Sequence, residues 1–305
     1  MQSIEFAKFE GDRQIVWDAT SLKRAGQCQM MYRLGTLEGW RGRGEPVRPL
    51  WGRAIHKGFE ILDYNKFIGT PKDQALDEAI THTLTEFGPA LKNSTENAFT
   101  IRTLVRALVF KADESYDKDH LRVPAMPDGS PALEVRFEVP FGDWRLSGRI
   151  DRMAEHDDRL YVVDTKSTSS QLDGRYFRWY HLDDQVYAYL WVARHVLGLP
   201  VIGLMIDGVQ TLVENTRFGF HLVQVPDENL LVWKDSMLRR IFRIEMARTT
   251  NAWDQNFTSC RLCSYPIVCE ERPSQQREVL NKYFDLRPYG TRTEPVLPPT
   301  QARRG

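Results

Sequence analysis

Two acids and a lysine, Asp151, Asp164 and Lys166, lie in the stretch WRLSGRIDRMAEHDDRLYVVDTK at 144–166. Residues 144–153 alternate apolar and polar for most of their length. Residues 160–166 form a short β-rich run around Val162 and Val163, so both segments read as strands. The polar cluster Glu155-His156-Asp157-Asp158 between them has the composition of a turn. With Asp157 and Asp158 as that turn, antiparallel pairing sets Asp151 opposite Asp164. Cβ atoms there sit about 4.5–5.5 Å apart, and two carboxylates repel. The strand period of two puts Asp164 and Lys166 on one face. A divalent cation between the acids would relieve the repulsion, and Mg²⁺ favours such oxygen ligands. A slip of one residue would separate the pair. An Asp followed by a solvent-facing Lys also occurs on strands that do no chemistry.

The cysteines make a second constellation. They are Cys28, then Cys260, Cys263 and Cys269, and they are all four in the chain. In a reducing compartment, three clustered cysteines with a CxxC core point to metal. A zinc ribbon normally shows two CxxC pairs, and no nearby His completes a zinc set here. Cys₄ ligation of a [4Fe–4S] cluster fits the spacing at least as well. Zn²⁺ at the same Cys₄ site, or a merely buried Cys28, are the alternatives.

Gln185 and Tyr189 are four apart and share a helix face. Their amide, hydroxyl and ring suit contacts to a phosphodiester or a base, and equally suit an amphipathic helix with a core tyrosine. His56 is an imidazole beside an apolar stripe, either a metal ligand or a packed residue. Glu134 shares a strand face with Arg136 and Glu138 and reads as solvated, with an accessory role at the site as the other reading.

The elements that must position these groups follow from pattern. Ser21 caps a helix through about Gly35. A helix covers about 50–67 with the stripe Trp51, Ile55, Phe59 and Leu62. Two more cover about 72–92 and 96–119. Strands are expected at 132–141, 144–153 and 159–166, the first two joined by a Gly142-Asp143 turn. Residues 167–178 read as a loop. Asp183 or Asp184 caps a helix to about Leu197, strands follow at 201–207 and 218–225, and Asp227 caps a helix to about Arg248. The natural assembly is a mixed α/β protein, one mixed sheet with helices packed on it. A βαβ crossover links the 159–166 and 201–207 strands.

The 305 residues carry 41 basic and 41 acidic side chains. The neutral total gives no global signal for nucleic acid, although a local basic groove depends only on where charge lies. No apolar run approaches the roughly 20 residues that span a bilayer. The first residues lack the apolar core of a signal peptide. The expectation is no membrane and a cytoplasmic protein.

Taken in order, His56, Gly148-Arg-Ile-Asp151, Asp164-Thr-Lys166, Gln185-x₃-Tyr189 and the one-plus-three cysteines resemble the PD-(D/E)XK nuclease superfamily. The match is to its RecB-like, AddB-like branch of iron–sulfur exonucleases, of the stand-alone phage or CRISPR-associated type. The resemblance covers about residues 20–272. Asp164 stands where many members have Glu, and Arg-Ile-Asp replaces Pro-Asp; both occur in the superfamily. It implies a restriction-endonuclease-like core with N- and C-terminal segments joined by a Cys₄ metal cluster. It implies one nuclease domain at 1–285, with a helical insertion at about 68–122 and a cysteine segment at about 252–273; the Pro-, Thr- and Arg-rich stretch at 286–305 reads by composition as a disordered tail. It implies Mg²⁺ or Mn²⁺ on His56, Asp151, Asp164 and the Thr165 carbonyl. Lys166 would assist the attacking water, Gln185 and Tyr189 would contact DNA or organise the site, and Cys28, Cys260, Cys263 and Cys269 would hold [4Fe–4S]. The implied activity is DNA exonuclease action in recombination or repair, in a bacterial or phage-infected cytoplasm, with DNA and a strand-annealing or other DNA-processing protein as partners. A catalytically inactive DNA-binding subunit is the alternative. Lys23, Arg24, Arg33, Arg41, Arg43, Arg175 and Arg178 are candidate backbone contacts.

Overall fold

The computed structural model describes residues 16–43, 47–92, 98–117 and 121–287. In chain order these hold β1 (Val16–Trp17), α1 (Ala19–Gln27), α2 (Gln29–Tyr32), β2 (Trp40–Gly42), α3 (Val47–Phe67), α4 (Lys72–Leu91) and α5 (Ile101–Asp117). There follow β3 (Leu133–Phe141), β4 (Trp144–His156), β5 (Arg159–Thr168), α6 (Gly174–Arg178) and α7 (Asp184–Trp191). The chain continues through β6 (Val201–Thr211), β7 (Thr216–Val223), α8 (Asp227–Thr250), α9 (Pro266–Cys269), α10 (Gln276–Tyr283) and β8 (Phe284–Leu286).

The main sheet is mixed and six-stranded, in the order β1-β4-β5-β6-β7 with β3 on the other edge of β4. Both expected hairpins form. Gly142 sits at φ +64 as the first of two turn residues between Phe141 and Trp144, the position where a type II′ turn requires glycine. Asp157 and Asp158 sit at φ 48 and 55, the pair of left-handed residues that a type I′ turn needs. His156 then faces Arg159, and the ladder runs back to Arg152 facing Val163. The register is the one read from the turn, but pairing ends one step short of Asp151 and Asp164. Further back, β1 takes that edge of β4 at Arg145 and Leu146. β5 and β6 pair in parallel through the α6–α7 connection, as a βαβ unit.

Helices cover both faces of the sheet. One core joins it to α1, α7 and α8 through Trp17, Leu22, Phe141, Ile150, Val162, Leu190, Ile206, Trp233 and Ile241. The other joins α3, α4 and α5 to Val209 of β6. The whole predicted stripe of α3, Trp51, Ile55, Phe59 and Leu62, is buried there. Each such side chain contributes roughly 1.5–3 kcal/mol, so α3 is held firmly under the site it serves.

Several boundaries differ from the sequence expectation. Asp18, not Ser21, caps α1. Ser21 N donates to Asp18 Oδ1 at 2.7 Å, and Asp18 N donates back to Ser21 Oγ at 2.8 Å. This first helix stops at Cys28, whose backbone is extended. Gln27 O, released from helical bonding, accepts from Asn256 Nδ2 and Ser259 Oγ instead. Pro226 is the cap position of α8, and Asp227 is its first residue. The 167–178 segment contains α6, with a 3₁₀ turn at Trp179–Leu182 after it. Helix α5 begins at Ile101, its expected continuation past Asp117 to 119 lying outside the described residues, and β7 spans 216–223.

A small antiparallel pair, β2 with β8, closes a third cluster of Leu34, Trp40, Tyr265, Val268, Leu280 and Phe284. Leu286 therefore belongs to a strand. The rest of the expected tail, from 288, lies outside the described residues, as do residues 1–15. Among the described residues, no helix is long and apolar enough to cross a membrane.

Candidate active site

β4 and β5 part company where their ladder ends, and the chemistry-bearing side chains collect in that fork. Thr165 N donates to Asp151 Oδ2 at 2.9 Å, so a carboxylate replaces the strand partner that β4 no longer offers. α3 delivers His56, whose Nδ1 lies 3.2 Å from the same Asp151 oxygen. On β5, Lys166 Nζ lies 2.6 Å from Asp164 Oδ2. α7 closes the group. Asp183 Oδ1 caps it by accepting from Gln185 N at 2.9 Å. Lys166 Nζ donates to Gln185 Oε1 at 2.8 Å, and Gln185 Nε2 donates to Asp164 Oδ1 at 3.1 Å and to Tyr189 Oη at 3.0 Å. Tyr189 Oη donates to Arg149 O at 2.7 Å, which ties the chain of bonds back to β4. Sequence reasoning proposed His56, Asp151, Asp164, Thr165, Lys166, Gln185 and Tyr189, and all seven lie in or against this fork. Asp164 and Thr165 are buried, whereas His56 and Lys166 are half-open to solvent.

The electrostatics are those of two acids in one place. Burial pushes Asp164 up to about 6, Lys166 opposes this and Asp151 adds to it. Burial also works against the Asp151 carboxylate, but His56 and the Thr165 amide outweigh it and hold Asp151 below its ordinary value. Burial lowers His56 and Asp151 more than restores it, so the imidazole is raised. Lys166 follows the same pattern through Asp164.

Glu134 is the residue that sequence reasoning placed wrongly. It is half-buried, not solvated, and adopts φ 50. Leu133 faces Arg152 and Val135 faces Ile150, which leaves Glu134 across from Asp151. Alternation slips there: Ile150 and Met153 enter the same core, while Arg152 between them reaches Asp63 of α3. Glu134 pairs with Arg149 at 2.6 Å, and burial pushes it up to about 7 against that pairing. The signal available in the sequence was its place one strand over from Asp151 in a GRID hairpin; its φ was not legible.

A buried network beneath the fork was missed as well. Arg152 bonds Asp63 and Asp207, each at 2.5 Å, and Lys111 donates to Asp207 at 3.0 Å. These four residues come from α3, α5, β4 and β6, so no local pattern announces them.

The four cysteines line one cavity, with Met31, Asn256, Phe257 and Tyr265. Burial raises Cys263, with Cys28 and Cys260 adding to it. Burial and the neighbouring thiols push Cys269 up to about 11. Among the described residues, no three His, Cys, Asp or Glu side chains are grouped to hold a single metal ion, here or in the fork.

Of the basic candidates, Lys23 pairs with Asp183 and Arg33 with Glu38. Arg24 donates to Thr36, Arg41 to the Gly35 and Trp40 carbonyls, and Arg43 to the Asn281 carbonyl. Arg175 and Arg178 are exposed on α6.

A mixed sheet flanked by helices, with two carboxylates and a lysine in a strand fork, defines a restriction-endonuclease-like protein. Residues 17–270 match the PD-(D/E)XK nuclease superfamily, and the chain belongs to it. No curated protein matches. Among solved structures, one described as "Crystal structure of SSO0001" is 10% identical. It covers 73% of this chain and 95% of its own, at a TM-score of 0.33, a likeness that carries no argument.

Proposed function

We propose that the protein is a metal-dependent DNA exonuclease of recombination or repair. The observation that carries this is the convergence of Asp151, Asp164 and Lys166 on one fork, half-open to solvent at Lys166, with Gln185 bridging the last two. The donor types suit a divalent cation: His56 lies 3.2 Å from Asp151, and the Asp151 and Asp164 carboxylates repel one another. His56, Asp151, Asp164 and the Thr165 carbonyl would hold Mg²⁺ or Mn²⁺. Such an ion, when bound, lowers the pKa of a water and polarises the scissile phosphate. Lys166 donates a hydrogen bond to the attacking water and offsets charge developing on the phosphate oxygens. Gln185 fixes the ammonium and one Asp164 oxygen together, and Tyr189 fixes Gln185. An inactive binding subunit would have no need of a lysine and two acids so arranged.

Cys28, Cys260, Cys263 and Cys269, which line one cavity, would hold a [4Fe–4S] cluster. Thiolates on separate irons of a cluster stand further apart than four ligands of one zinc, which sit about 2.3 Å from a common centre. One nuclease domain would then span 1–285, with the 68–122 helices as an insertion and the 252–273 segment clasping the N-terminal helices.

The test is a time course on end-labelled linear and closed circular DNA with Mg²⁺, Mn²⁺ or EDTA, beside Asp164→Ala and Lys166→Ala. Metal-dependent loss of the linear DNA alone, absent in both variants, is expected. Cutting of the circle would make it an endonuclease. Equal cleavage by wild type and both variants would refute the site.

A further inference from the structure

The segment between Lys166 and Gln185 carries an outward face that the hydrolytic site does not use. Arg175, Arg178, Trp179 and Leu182 fall at spacings of three, four and seven, and all four are exposed. Trp179 is 79% exposed and Leu182 is 86% exposed. The inner face is firmly seated. Phe177 is buried and stacks on His221 at 5.1 Å, with ring planes 17° apart. Leu172 and Phe177 fill the space left by Gly208 and Gly219, where a Cβ would meet both side chains at 2.9–3.5 Å. His181 Nε2 and His221 Nε2 lie 2.8 Å apart. Tyr176 and Tyr180 join hydroxyls at 3.0 Å, and burial together with the Asp164 carboxylate raises both phenols. The indole is therefore presented from an anchored segment that runs into α7, four residues before the Asp183 cap.

We propose that Trp179 is a stacking platform for an unpaired base of single-stranded DNA, with Arg175 and Arg178 on the flanking phosphates. This deepens the nuclease reading and rests on it for the choice of DNA as ligand. An indole offers a stacking face to any base, and a base inside a duplex has no free face to give. Two exposed guanidinium groups at one and four residues from the indole match a phosphate backbone, not an apolar protein partner. Both ends of the segment lead straight into the site, through β5 at Lys166 and α7 at Gln185, so a base held on Trp179 would help seat the adjoining strand at the fork.

The experiment measures binding in EDTA, where no cleavage is needed, by anisotropy of a labelled single strand and of a labelled, covalently closed circular duplex. Trp179→Ala should weaken the single strand about tenfold and leave the closed duplex unchanged, and Trp179→Phe should restore most of the loss. A 2-aminopurine in the strand should be quenched by wild type and released in Trp179→Ala. The double variant Arg175→Gln/Arg178→Gln should flatten the salt dependence by roughly 0.7 per lost phosphate contact. Wild-type affinity in Trp179→Ala would overturn the platform, and so would equal losses on both DNAs. The expected binding in a protein that cuts no DNA would uphold the platform and sink the nuclease reading.

Discussion

Gln185 accepts from Lys166 through Oε1 and donates to Asp164 and Tyr189 through Nε2. Its amide thus sets the spacing of the two charged groups. Gln185→Leu should slow cleavage by about 10- to 100-fold, the worth of about 1.5–3 kcal/mol of charged hydrogen bonding, with little change in melting temperature. Single-turnover rates on labelled DNA check this; an unchanged rate would remove Gln185 from the site. Lys166→Ala should cost on the order of 10²–10³-fold while DNA binding in EDTA persists. Asp164 also gives a pH signature. Its folded pKa, about 6, lies above the ordinary value of 3.8. Its contribution to stability is therefore full below the unfolded value and is lost as pH rises from about 4 through about 6. Metal-free wild type should lose ground to Asp164→Asn across that window in urea titrations. Parallel curves would contradict it.

At the scale of elements, β4 is the hub. It pairs with β3 along one edge and is shared between β1 and β5 on the other. Arg152, on this strand, joins α3 and β6 through Asp63 and Asp207, and α5 joins through Lys111. Removing one member of a buried charged set leaves its partners uncompensated, so Arg152→Met should destabilise by about 3–5 kcal/mol. Denaturant unfolding measures it, and a loss below about 1 kcal/mol would mean that the network relaxes or admits water. Burial disfavours the Asp207 carboxylate, but Lys111 and Arg152 outweigh it and the pKa falls. This contribution is present above the ordinary Asp range and disappears as pH drops through and below it, opposite in sign to Asp164.

Across the whole molecule, the first and last described segments are fastened together. β2 pairs with β8, Tyr265 Oη donates to Trp40 O at 2.7 Å, and Asp254 N donates to Gln29 Oε1 at 3.0 Å. The cysteine cavity sits inside this clasp. A cluster there would contribute its binding free energy to folding. Cys263→Ser should therefore lose visible absorption and iron, and melt lower by about 2–4 °C for each kcal/mol withdrawn. A colourless wild type that contains zinc would replace the iron–sulfur proposal, and a variant melting like wild type would end the structural role of the site.

The sequence by itself determined the chemistry types and their local frame. Residue types at 151, 164, 166, 185 and 189, two hairpin turns with the residues that tolerate positive φ, and the apolar stripe of α3 are local facts, and local periodicity reports them. Their register also followed, because the turn at Asp157-Asp158 counts residues back from both sides. Where the β4–β5 ladder stops was decided only in three dimensions: past Arg152 the Asp151 carboxylate takes the Thr165 amide, and β1, far away in the chain, pairs with β4 only at Arg145 and Leu146. The same holds for Glu134, whose left-handed backbone answers the slip at Asp151, and for the four-residue charge network, whose members come from four separate elements. It holds too for the outer face at 175–182: residues 167–178 read as a polar loop, and Gly208 and Gly219, on two other strands, provide the space that seats Phe177 and leaves Trp179 facing outward.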